Sequence, residues 1–572
     1  MRWFDTAFLQ KSAARSPPPP LALIPHLVKK VSGFARSGQA DACSDVLSWQ
    51  RTLIRNASNK PNPKPSNAMN KPALPDLPAK GVATDILQAM FPPRAVTPTR
   101  IVVIGCGTAC HFPWDHACKI YGEACGEIKK LTAAAGLPVE IVTCAAPFQD
   151  PVALVRELDT LLATRIDGII LFHAAYTCGE IGSHLGRWLL DHPMPLLSWS
   201  WPDPITGDAI VANSLCCQNF LLGMMGRLGI RYVWMHEAVG PGAHPFIERF
   251  LRSARAKSRF KHGKLLHVGG TRVEAFYDGE ADELSVMRRF GLRFDRIDLQ
   301  TALDRSRKFT DAQIKALREA ILKNPLCTKI DLPDSQTDQT LRFGLAILDY
   351  AQERDYIGCT VKSWPDLWFS YQCSIDGAVS MLNDYGFCTA EEGEMNGLIS
   401  SLALWELSNG SAITSMMDLS AANASRNRIG LWHCGASPTR MLRKGRTYEA
   451  RKHVCLENGD PKTAVGLMLE FLLELGPVTV TRYQSPDAAR CFTFEGDLRD
   501  CELAFRGNYG EVEPVAGTTA ADVMGSILAH GMDHHWSFGY GHWAKEISML
   551  NHWLDVRELP LVRSPQLQGF SQ

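Results

Sequence analysis

The chain has 572 residues, of which 45% are apolar and 21% charged, and its 60 basic residues equal its 60 acidic ones. This is the composition of a folded globular protein, long enough for about three or four domains. A chain without surplus positive charge lacks the usual electrostatic footprint for nucleic acid or an anionic membrane. We therefore expect a small neutral molecule as partner, with no nucleic acid and no membrane.

Cysteine usage and hydropathy indicate the compartment. The 17 cysteines are scattered, without two facing CxxC pairs at zinc spacing, which is typical of reduced thiols in a reducing compartment. No apolar run reaches the ~18–20 residues that cross a bilayer. The longest candidate, residues 464–475, is interrupted by Glu470 and Glu474 and is interpreted as an amphipathic helix. These features predict a cytoplasmic protein.

The first 97 residues differ from the rest. They contain four consecutive prolines, Pro17 to Pro20, and the segment NKPNPKPSNAMNKP, with few aromatic residues. Such a composition cannot bury enough apolar surface to fold, so residues 1–97 are predicted to be a disordered tail. Because Lys and Arg outnumber acids in its first forty residues, a transit peptide for organellar import is one alternative. An upstream extension, with Met69 as the true start, is another.

From Arg100 onward, apolar runs alternate with helical patterns. Two successive alternations, meeting near Arg231, predict parallel sheets with crossover helices. After about Ser411, four strand-like runs follow one another without regular helices, until a helix is predicted over residues 543–554: AITSMMDL, RIGLWHC, VTVTRYQS and CFTFEGDL. The predicted fold is α/β, with two N-terminal Rossmann-like parallel-sheet domains, residues 98–230 and 231–410, followed by a β-rich C-terminal domain, residues 411–572.

Acidic residues stand at two places suited to chemistry. Glu391, Glu392 and Glu394 precede an apolar helical run. Acids at a helix start cap N–H groups and favour the helix dipole, which explains them without a ligand, but they can also hold a divalent cation. Asp418 lies in an apolar run, where a charge is costly unless it is paired or ligated. The alternative for Asp418 is a cap at the end of a strand.

Histidines cluster near the C terminus, in AHGMDHHWSFGYGHW, which we interpret as a Gly-rich turn. Imidazole suits a transition metal, and neighbouring aromatic rings suit a sugar, while core packing is the alternative for each histidine. His433, in LWHCGASP, ends a predicted strand and fits either a site or a structural role. Two carboxylates with one or more histidines would hold Mn²⁺, Co²⁺ or a similar ion, which can polarise a carbonyl.

In these segments the sequence resembles the L-fucose/L-arabinose isomerase family. EEGEMNGLIS is similar to the family's Glu-Gly-Asp-x-Asn segment, LWHCGASP to its Trp-His-Cys-Gly-x-x-Pro segment, and HHWSFGYGH to its His-rich turn. The three segments follow the family's order, and the resemblance covers residues 98–572. An Asp rather than a Glu at position 418 favours the fucose branch. VVIGCGTACHF lacks the GxGxxG spacing, so no dinucleotide cofactor is expected.

The resemblance implies an intramolecular oxidoreductase, a sugar ketol-isomerase, with a divalent metal. Glu392, Asp418 and His535 match the family's metal ligands, with Mn²⁺ favoured and Co²⁺ or Mg²⁺ as alternatives. Glu392 and Asp418 also match its catalytic acid–base groups. Glu394 competes with Glu392, and His534 with His535, for the respective ligand positions.

The implied reaction converts an aldose of the L-fucose, D-arabinose or L-arabinose type into its ketose through a cis-enediol. One carboxylate removes the C2 proton, and its conjugate acid returns the proton to C1. His433 and Trp536 are expected to contact the substrate. The family also implies a homo-oligomer, a trimer or hexamer. The alternatives are a non-catalytic sugar-binding or regulatory protein on the same scaffold, and a metal hydrolase or epimerase.

Overall fold

The computed structural model describes residues 73–563. Its first parallel sheet contains five strands. Its strands are β1 (Thr99–Cys106), β2 (Val139–Thr143), β3 (Gly168–His173), β4 (Leu196–Ser200) and β5 (Val233–His236). They run parallel in the order β2-β1-β3-β4-β5. Helix α1 (Thr84–Met90) precedes this sheet in the chain, and five helices flank the sheet: α2 (Trp114–Ala134), α3 (Pro151–Leu162), α4 (Gly179–Asp191), α5 (Ser214–Arg227) and α6 (His244–His262). Covered on both faces, the central strands are continuous apolar runs, as parallel sheets require.

The second parallel sheet has four strands: β6 (Lys264–Val268), β7 (Arg293–Ile297), β9 (Gly358–Val361) and β10 (Cys388–Ala390). Their order is β10-β9-β6-β7. This part of the chain adds seven helices: α7 (Glu283–Phe290), α8 (Leu299–Ser306), α9 (Asp311–Leu322), α10 (Asp334–Arg354), α11 (Asp366–Phe369), α12 (Asp376–Tyr385) and α13 (Met395–Ser408). A further strand, β8 (Cys327–Asp331), leaves this sheet and joins the C-terminal one.

The C-terminal sheet is mixed and has ten strands. Besides β8 these are β11 (Thr414–Asn423), β12 (Arg428–His433), β13 (Tyr448–Lys452), β14 (Gly466–Leu472), β15 (Gly476–Tyr483), β16 (Arg490–Arg499), β17 (Asn508–Pro514), β18 (His535–Tyr540) and β19 (Arg557–Glu558). Their order is β19-β16-β15-β18-β11-β12-β17-β14-β13-β8. Because β16 also pairs with β17, six antiparallel strands close into a barrel. Three helices accompany it: α14 (Val454–Gly459), α15 (Ala520–His530) and α16 (Ala544–Leu554).

The fold class expected from the sequence is confirmed: two parallel sheets with crossover helices precede a β-rich part. The exact domain boundaries stay a prediction. Residues 1–72 of the predicted tail lie outside the described residues. Within the tail's last section, however, α1 is folded, and Leu87 is fully buried in the apolar core. The absence of structure expected up to residue 97 is therefore wrong for this helix, because its short apolar face finds a partner surface.

Two local predictions in the C-terminal part are wrong. The run interpreted as an amphipathic helix is strand β14, since Glu470 is buried and bonded to Arg506 instead of marking a polar face. The His-rich segment is strand β18 rather than a turn. The backbone of Ala412 lies so close to Gly539 that a Cβ at this position would be 2.5 Å from its carbonyl oxygen, so glycine is required in this part of the strand. Helices α14 and α15 were also not predicted.

Two further observations concern the thiols and the helices of the described residues. Among residues 73–563, the 16 cysteines Cys106, Cys110, Cys118, Cys125, Cys144, Cys178, Cys216, Cys217, Cys327, Cys359, Cys373, Cys388, Cys434, Cys455, Cys491 and Cys501 are free thiols. Over the same residues, none of the helices combines the length and apolar character that crossing a bilayer requires.

Candidate active site

A sharp turn between β10 and α13 presents the acidic cluster. Glu392 and Gly393 both adopt positive φ, 62° and 70°. A Cβ on Gly393 would lie 2.5 Å from the Cα of Arg272, so only glycine fits there. Glu394 then caps α13, accepting a hydrogen bond from the backbone N–H of Gly397 at 3.2 Å. The predicted helix start is confirmed, and the turn directs Glu392 away from the helix axis.

Asp418 and His535 face each other across two antiparallel strands. They occupy directly paired positions of β11 and β18, so their side chains leave the same face of the sheet. Nε2 of His535 lies 3.6 Å from Oδ1 of Asp418 and 2.9 Å from Oε2 of Glu392. The three residues predicted as ligands thus come together, with His535 between the two carboxylates.

His433 lies beside this group, at the end of β12 as predicted. Its ring centroid is 5.7 Å from that of His535, and its Nδ1 is 2.9 Å from Oε1 of Glu391. One ligand atom each of Glu392, His433 and His535 lie within 4.8 Å of one another. His433 therefore lines the same cluster, where an imidazole could bind a metal or hold a substrate oxygen.

The buried carboxylate oxygens of this cluster outnumber the hydrogen-bond donors that reach them. Oε2 of Glu392 and Oδ1 of Asp418 both face Nε2 of His535, at 2.9 and 3.6 Å, and one ring nitrogen carries at most one hydrogen. Buried carboxylate oxygens without partners are costly. A divalent cation bound by Glu392, Asp418 and His535 would satisfy them, and an oxygen-and-nitrogen donor set suits Mn²⁺.

Opposite charges shift the pKa values of these groups. Burial raises the pKa of Glu392, but the charge and hydrogen bond of His535, the charge of His433 and the hydrogen bond from Trp364 together lower it to about 2. Burial lowers the pKa of His535, but Glu392 and Glu394 raise it well above its usual value. Burial is the largest cause that raises the pKa of Glu391 to about 7. Against burial, Glu391 in turn raises the pKa of His433 to about 9.

The contacts of Glu394 and His534 show which residue of each competing pair is free to bind a metal. Oε2 of Glu394 lies 2.8 Å from a guanidinium nitrogen of Arg482, and its other oxygen caps α13, so both oxygens are engaged. The side chain of His534 is 40% exposed, and its Nδ1 lies 2.6 Å from Oδ2 of Asp278. The geometry therefore favours Glu392 over Glu394. It also favours His535, although a ligand atom of His534 reaches within 4.8 Å of its neighbours.

Trp536 does not join the cluster. Side chains alternate along a strand, so Trp536 points to the face of β18 opposite His535. Its ring packs against Phe492 and Phe494, with centroids 6.0 and 6.4 Å away, and the residue is only 1% exposed. The position of Trp536 therefore does not agree with the predicted substrate contact. That prediction came from interpreting this segment as a turn, whereas it is a strand.

Aromatic residues missed at the sequence level border the cluster. Trp364 donates a hydrogen bond from Nε1 to Oε1 of Glu392 at 2.9 Å. The ring of Phe276 stands edge-on to Trp364 and to His535, with centroids 5.3 and 5.5 Å away. Trp364 follows β9 at the carboxyl edge of the second sheet, where ligands of α/β proteins usually bind, and this position was the available signal.

Comparisons with known proteins give one group of relatives. Two sulfoquinovose isomerases, from Priestia aryabhattai and Priestia megaterium, are each 23% identical to this chain over 422 residues, which is 73% of this chain and 90% of the relative. A sulfoquinovose isomerase from Alkalicoccus urumqiensis is 24% identical over 362 residues, 62% of this chain and 78% of the relative. No protein-family model matches the chain. The likeness supports a sugar isomerase, while the L-fucose branch stays a prediction.

Proposed function

We propose that this protein is a metal-dependent aldose–ketose isomerase with sulfoquinovose, a sulfonated aldose, as its first candidate substrate. The observation that carries the proposal is the convergence of Glu392 and Asp418 on Nε2 of His535, where two carboxylate oxygens share a single ring nitrogen. The names of the relatives supply the substrate class. L-Fucose, D-arabinose and L-arabinose are the alternatives that the sequence resemblance implies.

In the proposed mechanism, Glu392, Asp418 and His535 would hold the metal, most suitably Mn²⁺. When bound, the ion would polarise the sugar carbonyl as a Lewis acid. One of the two carboxylates takes the proton from C2, and the resulting carboxylic acid gives it back at C1, while the hydroxyl proton of O2 passes to O1, so that atoms and charge balance. Trp364 fixes the orientation of Glu392 through its N–H, and Phe276 helps to keep water from the polar cluster.

Metal binding should release protons. In the metal-free protein, the raised pKa values of His433 and His535 keep their imidazoles protonated at pH 7. A metal ligand must be a neutral imidazole, so binding is expected to displace about one proton per ion and to weaken about tenfold for each pH unit lowered. Titration calorimetry with Mn²⁺ in two buffers of different ionisation enthalpy measures this release. Binding heats that are independent of the buffer would contradict the linkage.

Ketose formation from a panel of aldoses tests the proposed function. The purified full chain is treated with chelator, then assayed with sulfoquinovose, L-fucose, D-arabinose and L-arabinose, with and without Mn²⁺. Turnover of one sugar that requires the added ion is expected. If folded, metal-loaded protein converts none of them but binds one, the alternative of a non-catalytic sugar-binding protein is favoured. A product of changed mass would indicate a hydrolase. The homo-oligomer and the cytoplasmic location stay predictions.

A further inference from the structure

A second group of metal-binding side chains lies at the carboxyl edge of the first parallel sheet, apart from the candidate active site. Cys106 is the last residue of β1 and His173 the last of β3, and the two are directly paired in the sheet. Their side chains therefore leave the same face. Cys217, from the start of α5, completes the group. All three residues are 0% exposed.

The distances within this group match a shared metal ion. Nδ1 of His173 lies 3.6 Å from Sγ of Cys106 and 3.4 Å from Sγ of Cys217. A nitrogen and a sulfur bound to one tetrahedral zinc, at about 2.0 and 2.3 Å, are roughly 3.5 Å apart. A single ring nitrogen carries either one hydrogen or one lone pair, so it can make a linear hydrogen bond to one sulfur at a time, whereas a shared metal ion would bind both sulfurs.

The other ring nitrogen of His173 is already engaged. Nε2 lies 2.7 Å from Oγ of Ser198, and Nε2 of Gln218 donates to the same oxygen at 3.1 Å. Metal-binding histidines usually bond their second ring nitrogen in this way, which fixes the orientation of the ring. Nδ1 is thereby held toward the two sulfurs.

We propose that Cys106, His173 and Cys217 form a buried zinc site that joins β1, β3 and α5. This site is separate from the proposed isomerase reaction and does not depend on it. Two thiolates balance the charge of Zn²⁺, so the occupied site can be buried without net charge. Sulfur ligands select Zn²⁺ over Mn²⁺, whereas the oxygen-rich cluster around Glu392 and Asp418 suits Mn²⁺. The chain therefore contains two metal sites of different chemistry.

Cobalt substitution tests this site independently of activity. The full chain is produced in medium supplemented with Co²⁺, which replaces zinc and gives thiolate-to-cobalt charge-transfer absorption only when sulfur is bound. The active-site cluster offers oxygen and nitrogen donors, so cobalt bound there gives no such band. The band is expected in the wild-type protein and is expected to be lost in the Cys106→Ser and Cys217→Ser variants.

Cys455→Ser is the matched control, because Cys434, His453 and Cys455 also bring two sulfurs near an imidazole. The band should persist in this variant. Folded wild-type protein without the band would overturn the proposal, as would a band that only Cys455→Ser removes. If the Cys106 and Cys217 variants fail to fold, X-ray absorption of the zinc-loaded Cys455→Ser protein decides, since a zinc shell without sulfur contradicts the site.

Discussion

The Glu392→Gln variant is expected to lose turnover by roughly 10²–10⁴-fold, the usual contribution of a general acid–base group. Glutamine keeps the volume of the side chain and an oxygen for the N–H of Trp364, but it removes the charge and the basic oxygen next to His535. The turnover number is measured with saturating sugar and Mn²⁺, and the metal content of the variant is measured in parallel. Less bound metal together with lost turnover would support both roles of Glu392.

Two variants make this experiment decisive. Glu319→Gln removes a surface carboxylate that pairs with Lys323 four residues on, and should leave turnover unchanged. Glu394→Gln tests the competing ligand. If Glu394→Gln abolishes metal binding while Glu392→Gln keeps both metal and turnover, the assignment of the first ligand is reversed. Near-normal turnover in both variants would remove this acidic turn from the mechanism.

The members of the site could be foreseen where several signals agreed. Glu392, Asp418 and His535 were predicted because their segments resemble those of the L-fucose/L-arabinose isomerase family, and Asp418 also because a charge in an apolar run requires a partner. The structure brings the three side chains together. Trp364 was missed because its role depends on a second sheet meeting the barrel, which no local pattern encodes. Trp536 was assigned wrongly because alternation along β18 turns neighbouring side chains to opposite faces.

The elements of the fold likewise differ in how far the sequence predicts them. Parallel strands buried on both faces are long apolar runs, so the strands of the first sheet could be predicted from hydropathy alone. Closure of the barrel through β16 and β17, and the transfer of β8 into the C-terminal sheet, depend on pairing between distant segments. The hydrophobic periodicity of a segment shows which of its faces is buried but not which other segment packs against it. These strand pairings could therefore not be predicted.

The Arg482→Met variant is expected to lower the free energy of unfolding by about 3–5 kcal/mol, the usual cost of removing one member of a buried ion pair. The Arg482 side chain is 0% exposed, and its guanidinium lies 2.8 Å from Glu394 and 2.6 Å from Asp533. Burial lowers the pKa of Arg482, but the two carboxylates raise it above its usual value, so the charge is retained. Methionine fills the space but leaves both acids buried without their cation.

Denaturant unfolding monitored by circular dichroism measures the loss. Arg499→Met is the matched control, because Arg499 is 47% exposed and its pair with Glu513 should contribute at most about 1 kcal/mol. Adding Glu394→Gln and Asp533→Asn to Arg482→Met removes the unpaired charges and should recover part of the stability. A loss no larger than that of Arg499→Met would contradict the role of Arg482 as the buried counter-ion.

The Arg482→Met variant should also weaken metal binding. Arg482 pairs with Glu394 and so leaves Glu392 as the glutamate that is free to bind the metal. Oε2 of Glu394 lies 3.6 Å from Nδ1 of His535, and Arg482 neutralises that oxygen. Without Arg482, the full charge of Glu394 would raise the pKa of His535 further, and Mn²⁺ would compete with a more tightly held proton. Calorimetry should then show weaker Mn²⁺ binding at pH 7 and a smaller difference at higher pH. An unchanged affinity would mean that Arg482 acts on folding alone.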